Sequence, residues 1–103
     1  MTRLPKNRAP THPGEILLED FINGHGLTQT DAASRLGISY PRLNEIVNGK
    51  RGITTDTAIR LARLFETTAE FWLNGQRDWE LWHTLHSPAF EEIERIEPVH
   101  AHV

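Results

Sequence analysis

Two short apolar-striped runs meet across a single glycine between residues 28 and 51, and no other feature of the chain restricts its fold as tightly. Thr28, with Asp31 three residues later, reads as a helix N-terminal capping box, and Ala32, Ala33 and Leu36 form an inward stripe that ends at Gly37. Ser39 caps the next run two residues on. Pro41 falls in its first turn, where a missing N–H costs nothing, and Leu43, Ile46 and Val47 make its apolar face before Asn48-Gly49 stops it. Two helices joined this tightly need a small residue at their crossing, a glycine able to take φ > 0 in the turn, and apolar braces behind the second helix. Ala33, Gly37, Ile38, Leu43 and Ile46 occupy those places. An ordinary helical hairpin accounts for the glycine and the stripes equally well, so the pattern alone leaves two readings, hairpin and helix-turn-helix.

The outer face of the second helix favours the latter. Ser39, Tyr40, Arg42 and Glu45 lie off the apolar stripe and gather toward its N-terminal half, the part that a recognition helix presents to base edges in a major groove. Arg42 is the leading base reader of the four. Thr28 and Gln29 at the start of the first helix, and Asn48, Lys50 and Arg51 just past the second, are placed to hold phosphates through hydrogen bonds and charge. Any one of these residues taken singly also suits a plain solvated face.

The rest of the chain reads as helices around that pair. Residues 1–12 are polar, mildly basic and interrupted by Pro5 and Pro10, and they read as a flexible arm. Pro13 suits a first helical turn and Glu15 its positive end. Ile16, Leu17, Leu18, Phe21 and Ile22 then carry helical spacing up to Gly24-His25-Gly26. Thr54 with Asp56 opens a fourth helix whose Ala58, Ile59, Leu61, Ala62 and Phe65 are expected to face the core. Thr67 and Glu70 read as a further capping box before Phe71, Trp72, Leu73, Trp79 and Trp82, a fifth helix that Gly75 weakens. Beyond Ser87-Pro88 the acidic segment with Phe90, Ile93 and Ile96 allows one last helical turn or two before Pro98. The expectation is an all-α fold: one compact five-helix domain over residues 13–86, after the arm and before an acidic C-terminal tail, residues 87–103.

Charge divides unevenly along the chain. Residues 1–52 carry seven Lys or Arg against five Asp or Glu, a net of +2, and residues 53–103 carry four against nine, a net of −5. That split fits a nucleic-acid face in front and an acidic partner face or solvated tail behind. The absence of cysteine excludes a disulfide framework and thiolate zinc sites. No signal-peptide pattern and no membrane-span pattern are present, so the expected setting is cytoplasmic and away from membranes. His83 and His86 lie one helical turn apart, with His100 and His102 in the tail, but no HExxH-like spacing accompanies them and no metal site is expected. Neither a Ser-His-Asp order nor a Gly-rich phosphate loop is present, and Glu91, Glu92, Glu94 and Glu97 form the kind of run that faces solvent. No enzyme and no cofactor is therefore expected. Trp72, Trp79 and Trp82 exceed what so small a core can bury. Trp72 is assigned to the core, and Trp79 and Trp82 to a subunit interface.

Residues 28–51 resemble the helix-turn-helix of the phage-repressor (Cro/CI, XRE-type) superfamily, in which Gln at the start of helix two and Asn-Gly-Lys after helix three recur. Further motifs, His12-Pro13-Gly14-Glu15-Ile16-Leu17, Asn48-Gly49-Lys50-Arg51-Gly52-Ile53-Thr54, Ala58-Ile59-Arg60-Leu61-Ala62 and Phe71-Trp72-Leu73-Asn74-Gly75-Gln76, together resemble the HigA (VapI-like) antitoxins from about residue 12 to residue 82. Gly75 departs from the family, where a bulkier apolar residue is usual, and the tail after His83 matches none of its motifs. The resemblance implies a phage-repressor-like five-helix fold, a homodimer, double-stranded operator DNA as ligand, and a HigB-type mRNA-cleaving toxin as partner. A free-standing phage-type repressor would share every DNA-facing residue. A protein-interaction module that had lost DNA binding would not need Gln29, Arg42, Lys50 and Arg51.

Overall fold

Five helices of this chain begin where a side chain takes up an otherwise orphaned backbone N–H. The computed structural model describes residues 8–100. Helix α1, Pro13–Ile16, is capped by His12, whose Nδ1 accepts from the Gly14 N–H at 2.9 Å. A hydroxyl does the same for the next four. Thr28 Oγ1 accepts from Asp31 N at 3.0 Å to open α2, Gln29–Leu36, and Ser39 Oγ from Arg42 N at 3.2 Å to open α3, Tyr40–Val47. Thr54 Oγ1 accepts from Thr57 N at 3.4 Å ahead of α4, Thr55–Phe65, and Thr68 Oγ1 from Phe71 N at 3.1 Å ahead of α5, Ala69–Leu85. A short α6, Ala89–Glu94, follows.

Three sequence expectations change in detail. Helix α1 does not continue as an α-helix but passes directly into a π-helical segment, Leu17–Ile22, with Asn23 N donating to Leu18 O at 2.8 Å. Residues five apart diverge on an α-helix and stack on a π turn, and this lets Leu17 and Ile22 both be wholly buried. The cap of α5 is Thr68 rather than Thr67. Thr67 Oγ1 instead accepts from the indole N–H of Trp72 at 2.8 Å, because a wholly buried indole needs a partner. On α4 the inward stripe is Thr57, Ala58 and Leu61, which leaves Ile59 pointing outward and 56% exposed.

The core joins Leu17 and Ile22, Ala33 and Leu36 of α2, Leu43 and Ile46 of α3, Leu61 of α4 and Trp72 of α5. Gly37 sits at φ 71°, and the N–H of Ile38 closes a bond to Ala33 O at 3.1 Å, so the turn between α2 and α3 is a Schellman cap only glycine takes without strain. Gly14 is fixed by close approach: a Cβ there would lie 1.8 Å from Ile46 O, so α1 rests directly on the C-terminal turn of α3. Gly75 leaves α5 unbroken, and a Cβ there would only reach ordinary contact with Pro13 at 3.5 Å. Trp72 and Gln76 are the buried residues of α5, and its C-terminal half runs out from the core with Leu81 and Leu85 exposed. No helix among the described residues is long and apolar enough to cross a membrane.

Candidate nucleic-acid interface

The N-terminal ends of α2 and α3 carry the positive ends of two helix dipoles, an arrangement that favours anions. Ser39, Tyr40 and Pro41 are exposed at the tip of α3. Arg42 is drawn aside. Its Nη2 donates to Thr57 Oγ1 at 2.6 Å and to Asp56 Oδ1 at 3.3 Å, which ties α3 to the first turn of α4. The same Asp56 oxygen accepts from Arg60 Nε at 2.8 Å, and Arg60 Nη1 donates to the Leu36 carbonyl at 2.9 Å and the Gly37 carbonyl at 3.4 Å. The hydrogen bond from Arg60 is the main influence that holds the Asp56 carboxyl below its usual 3.8, aided by the charges of Arg60 and Arg42 and the Arg42 hydrogen bond, against a partial desolvation.

A second set of polar contacts links the two ends of the motif. Gln29 Oε1 accepts from Asn44 Nδ2 at 3.2 Å, and Asn48 Nδ2 donates back to Asn44 O at 2.8 Å and to Asn44 Oδ1 at 3.2 Å. These three amides brace the start of α2 against the length of α3. Glu45 is paired with Arg51, whose Nη2 approaches Glu45 Oε1 to 2.7 Å, so the carboxylate on the outer face is neutralised locally. Lys50 is exposed and forms no ion pair among the described residues. Thr28 is exposed too, its hydroxyl engaged as the α2 cap.

The loop that presents Asn48, Lys50 and Arg51 is held from behind. Gly49 turns it at φ 72°. Buried Gln76 on α5 accepts from the Ile53 N–H through Oε1 at 2.9 Å and donates through Nε2 to Glu80 at 3.2 Å. Gly52 lies so close that a Cβ would stand 3.1 Å from the Gln76 amide carbon. Asn44, Asp56, Thr57, Arg60 and Gln76 were not among the expected site residues. Each has at least one partner 14 to 24 residues away in the chain, and helical periodicity carries no signal for such contacts.

Trp79 and Trp82 stand apart from this face. Trp79 is half-buried, edge-on to His12 at 4.8 Å and against His83 at 4.0 Å between ring centroids. Trp82 is half-buried and stacks on His86 at 3.8 Å. His86 Nδ1 lies 2.8 Å from Trp82 O. Burial, and next the charge of His83, keeps His12 below its usual 6.5, with Glu15 and Glu80 opposing.

The helix-turn-helix family profile matches residues 18–72, more than half of the chain. Virulence-associated protein I of Dichelobacter nodosus is 48% identical over 77 residues, which cover 74% of this chain and 71% of that protein. Among solved structures, the Pseudomonas aeruginosa antitoxin HigA with the higBA promoter superposes with a TM-score of 0.80 at 39% identity, over 87% of this chain and 98% of that one. Antitoxin GraA in complex with its operator gives a TM-score of 0.82 at 34% identity, over 96% of this chain and 100% of that one.

Proposed function

This chain is a member of the helix-turn-helix family, and from that membership we propose that it is the antitoxin of a type II toxin–antitoxin module. It binds double-stranded operator DNA as a homodimer, represses its own operon, and neutralises a HigB-type mRNA-cleaving toxin. It works in the cytoplasm as a binding protein with no catalytic chemistry of its own. The observation that carries this reading is the exposed tip of α3, set between the start of α2 on one side and the Lys50 loop on the other, in a fold whose HigA and GraA neighbours are solved with promoter or operator DNA.

In this reading Ser39, Tyr40, Arg42 and Glu45 face base edges, and Thr28, Gln29, Asn48, Lys50 and Arg51 hold the flanking phosphates. Trp79 and Trp82 lie at the two-fold contact, where half-buried indoles are favoured, and pairing two motifs about one helical turn of DNA apart multiplies their affinity. Toxin contact falls to segments outside this face, the arm before Pro13 or residues 90–96. In the latter, exposed Ile93 and Ile96 lie among exposed Glu91, Glu92 and Glu94 and a single Arg95, a net-acidic surface that complements a basic ribonuclease.

Co-expression provides the test. The small reading frame adjacent to this gene should arrest growth alone and be silenced when this chain is present. An adjacent frame that is harmless, with no small basic protein co-purifying, would leave a free-standing repressor.

A further inference from the structure

One carboxylate outside the helix-turn-helix pairs with an arginine of its second helix. Asp56, on the first turn of α4, takes Arg42 at 3.3 Å and Arg60 at 2.8 Å on the same oxygen, and Arg60 in turn holds the carbonyls of Leu36 and Gly37 at the α2–α3 turn. Thr57, nearly wholly buried, holds the same Arg42 nitrogen at 2.6 Å. As an exposed ion pair Asp56 would add little to stability. Its interest lies in what it withholds. A guanidinium reads guanine through two parallel N–H groups aimed at O6 and N7. With Nη2 engaged on α4, that fork is unavailable until both the Asp56 and the Thr57 bonds are released.

We propose that Asp56 is a positioning residue for operator selection: it restrains Arg42, so that the guanidinium passes to DNA only where a base presents a matched pair of acceptors. A lone acceptor on a non-cognate duplex does not replace both bonds, each donated by the charged guanidinium and one of them to a carboxylate. The paired acceptors of a guanine do. Without Asp56 only the Thr57 hydroxyl restrains Arg42, so a single acceptor or a phosphate on DNA suffices to draw the guanidinium away, and binding to non-cognate DNA gains more than binding to the operator. Asp56 thereby acts against wrong partners rather than for the right one.

This inference rests on the operator-binding reading above, and the test separates the two. Wild type, Asp56→Asn, Arg42→Ala and the double variant are titrated against the duplex upstream of the gene and against a scrambled duplex of equal length, at one salt concentration. Wild type binding both duplexes equally would sink the operator reading itself. Given selective wild-type binding, Asp56→Asn should lower the operator-to-scrambled affinity ratio by about tenfold, chiefly by tighter binding to the scrambled duplex. In the Arg42→Ala background the same change should leave the ratio unaltered. A merely structural Asp56 would weaken both duplexes alike, with a lower unfolding temperature and an unchanged ratio. That result, or an equal effect of Asp56→Asn with and without Arg42, overturns the proposal.

Discussion

Single atoms decide several positions in this chain. Gly14→Ala would place a methyl against the Ile46 carbonyl, and backbone on both sides cannot yield as a flexible side chain would. Overpacking of this kind costs ~1–3 kcal/mol, and for a domain of this size the thermal midpoint should fall by roughly 5–20 °C, measured by circular dichroism. His12 caps α1 through an unprotonated Nδ1, and its depressed value means that at mildly acidic pH the unfolded chain binds a proton the folded chain refuses. Its contribution to stability is therefore complete above the ordinary 6.5 and is lost as pH falls below it. His12→Asn supplies another capping acceptor without titrating, so the midpoint of that variant should decline less between pH 7.5 and 5.5. An equal decline in both proteins would contradict the assignment. Neither Gly14 nor His12 was legible in this role. The motif around them is recognisable, but the Ile46 carbonyl and the Trp79 ring that confine them come from distant elements.

Elements were more readable than the contacts between them. Thr28, Ser39 and Thr54 cap the helices expected of them, and Gly37 makes the left-handed turn, because caps and turns are settled within three or four residues. The displaced cap at Thr68 and the π segment depend on burial of Trp72, Leu17 and Ile22, which local sequence does not reveal. The outer face of α3 was legible too, yet periodicity tells which way Arg42 leaves its helix and not that Asp56 and Thr57 meet it. Gln76 shows what such a contact does at this scale. It fastens the loop after α3 to α5, and Gln76→Ala would leave the buried Ile53 N–H without an acceptor, at ~1–3 kcal/mol. Hydrogen exchange at Ile53 should accelerate and operator affinity should drop, although Gln76 itself faces the core. Unchanged exchange would mean that the loop is held by other bonds.

At the scale of the whole molecule the described residues span 58 × 27 × 23 Å, and α6 packs on α5 with none of its own residues buried. Two activities on one small chain call for separation, since a toxin and a duplex need surfaces that do not overlap. Truncation after Ser87 should abolish rescue of toxin-arrested growth while leaving operator affinity within about twofold, and an undiminished rescue would direct attention to the arm before Pro13. Sedimentation at micromolar concentration should show a dimer that Trp82→Ala converts toward monomer, whereas a monomeric wild type would remove the two-fold arrangement. The central claim, sequence-selective DNA binding through α3 with the Lys50 loop on phosphate, is tested most directly by a salt-dependent anisotropy titration of wild type and Lys50→Ala on operator and scrambled duplexes. Wild type should prefer the operator by at least about 10³-fold, and Lys50→Ala should weaken both duplexes alike and reduce the logarithmic salt slope by about one. Equal wild-type affinity for the two duplexes, or a salt slope unmoved by Lys50→Ala, would contradict it.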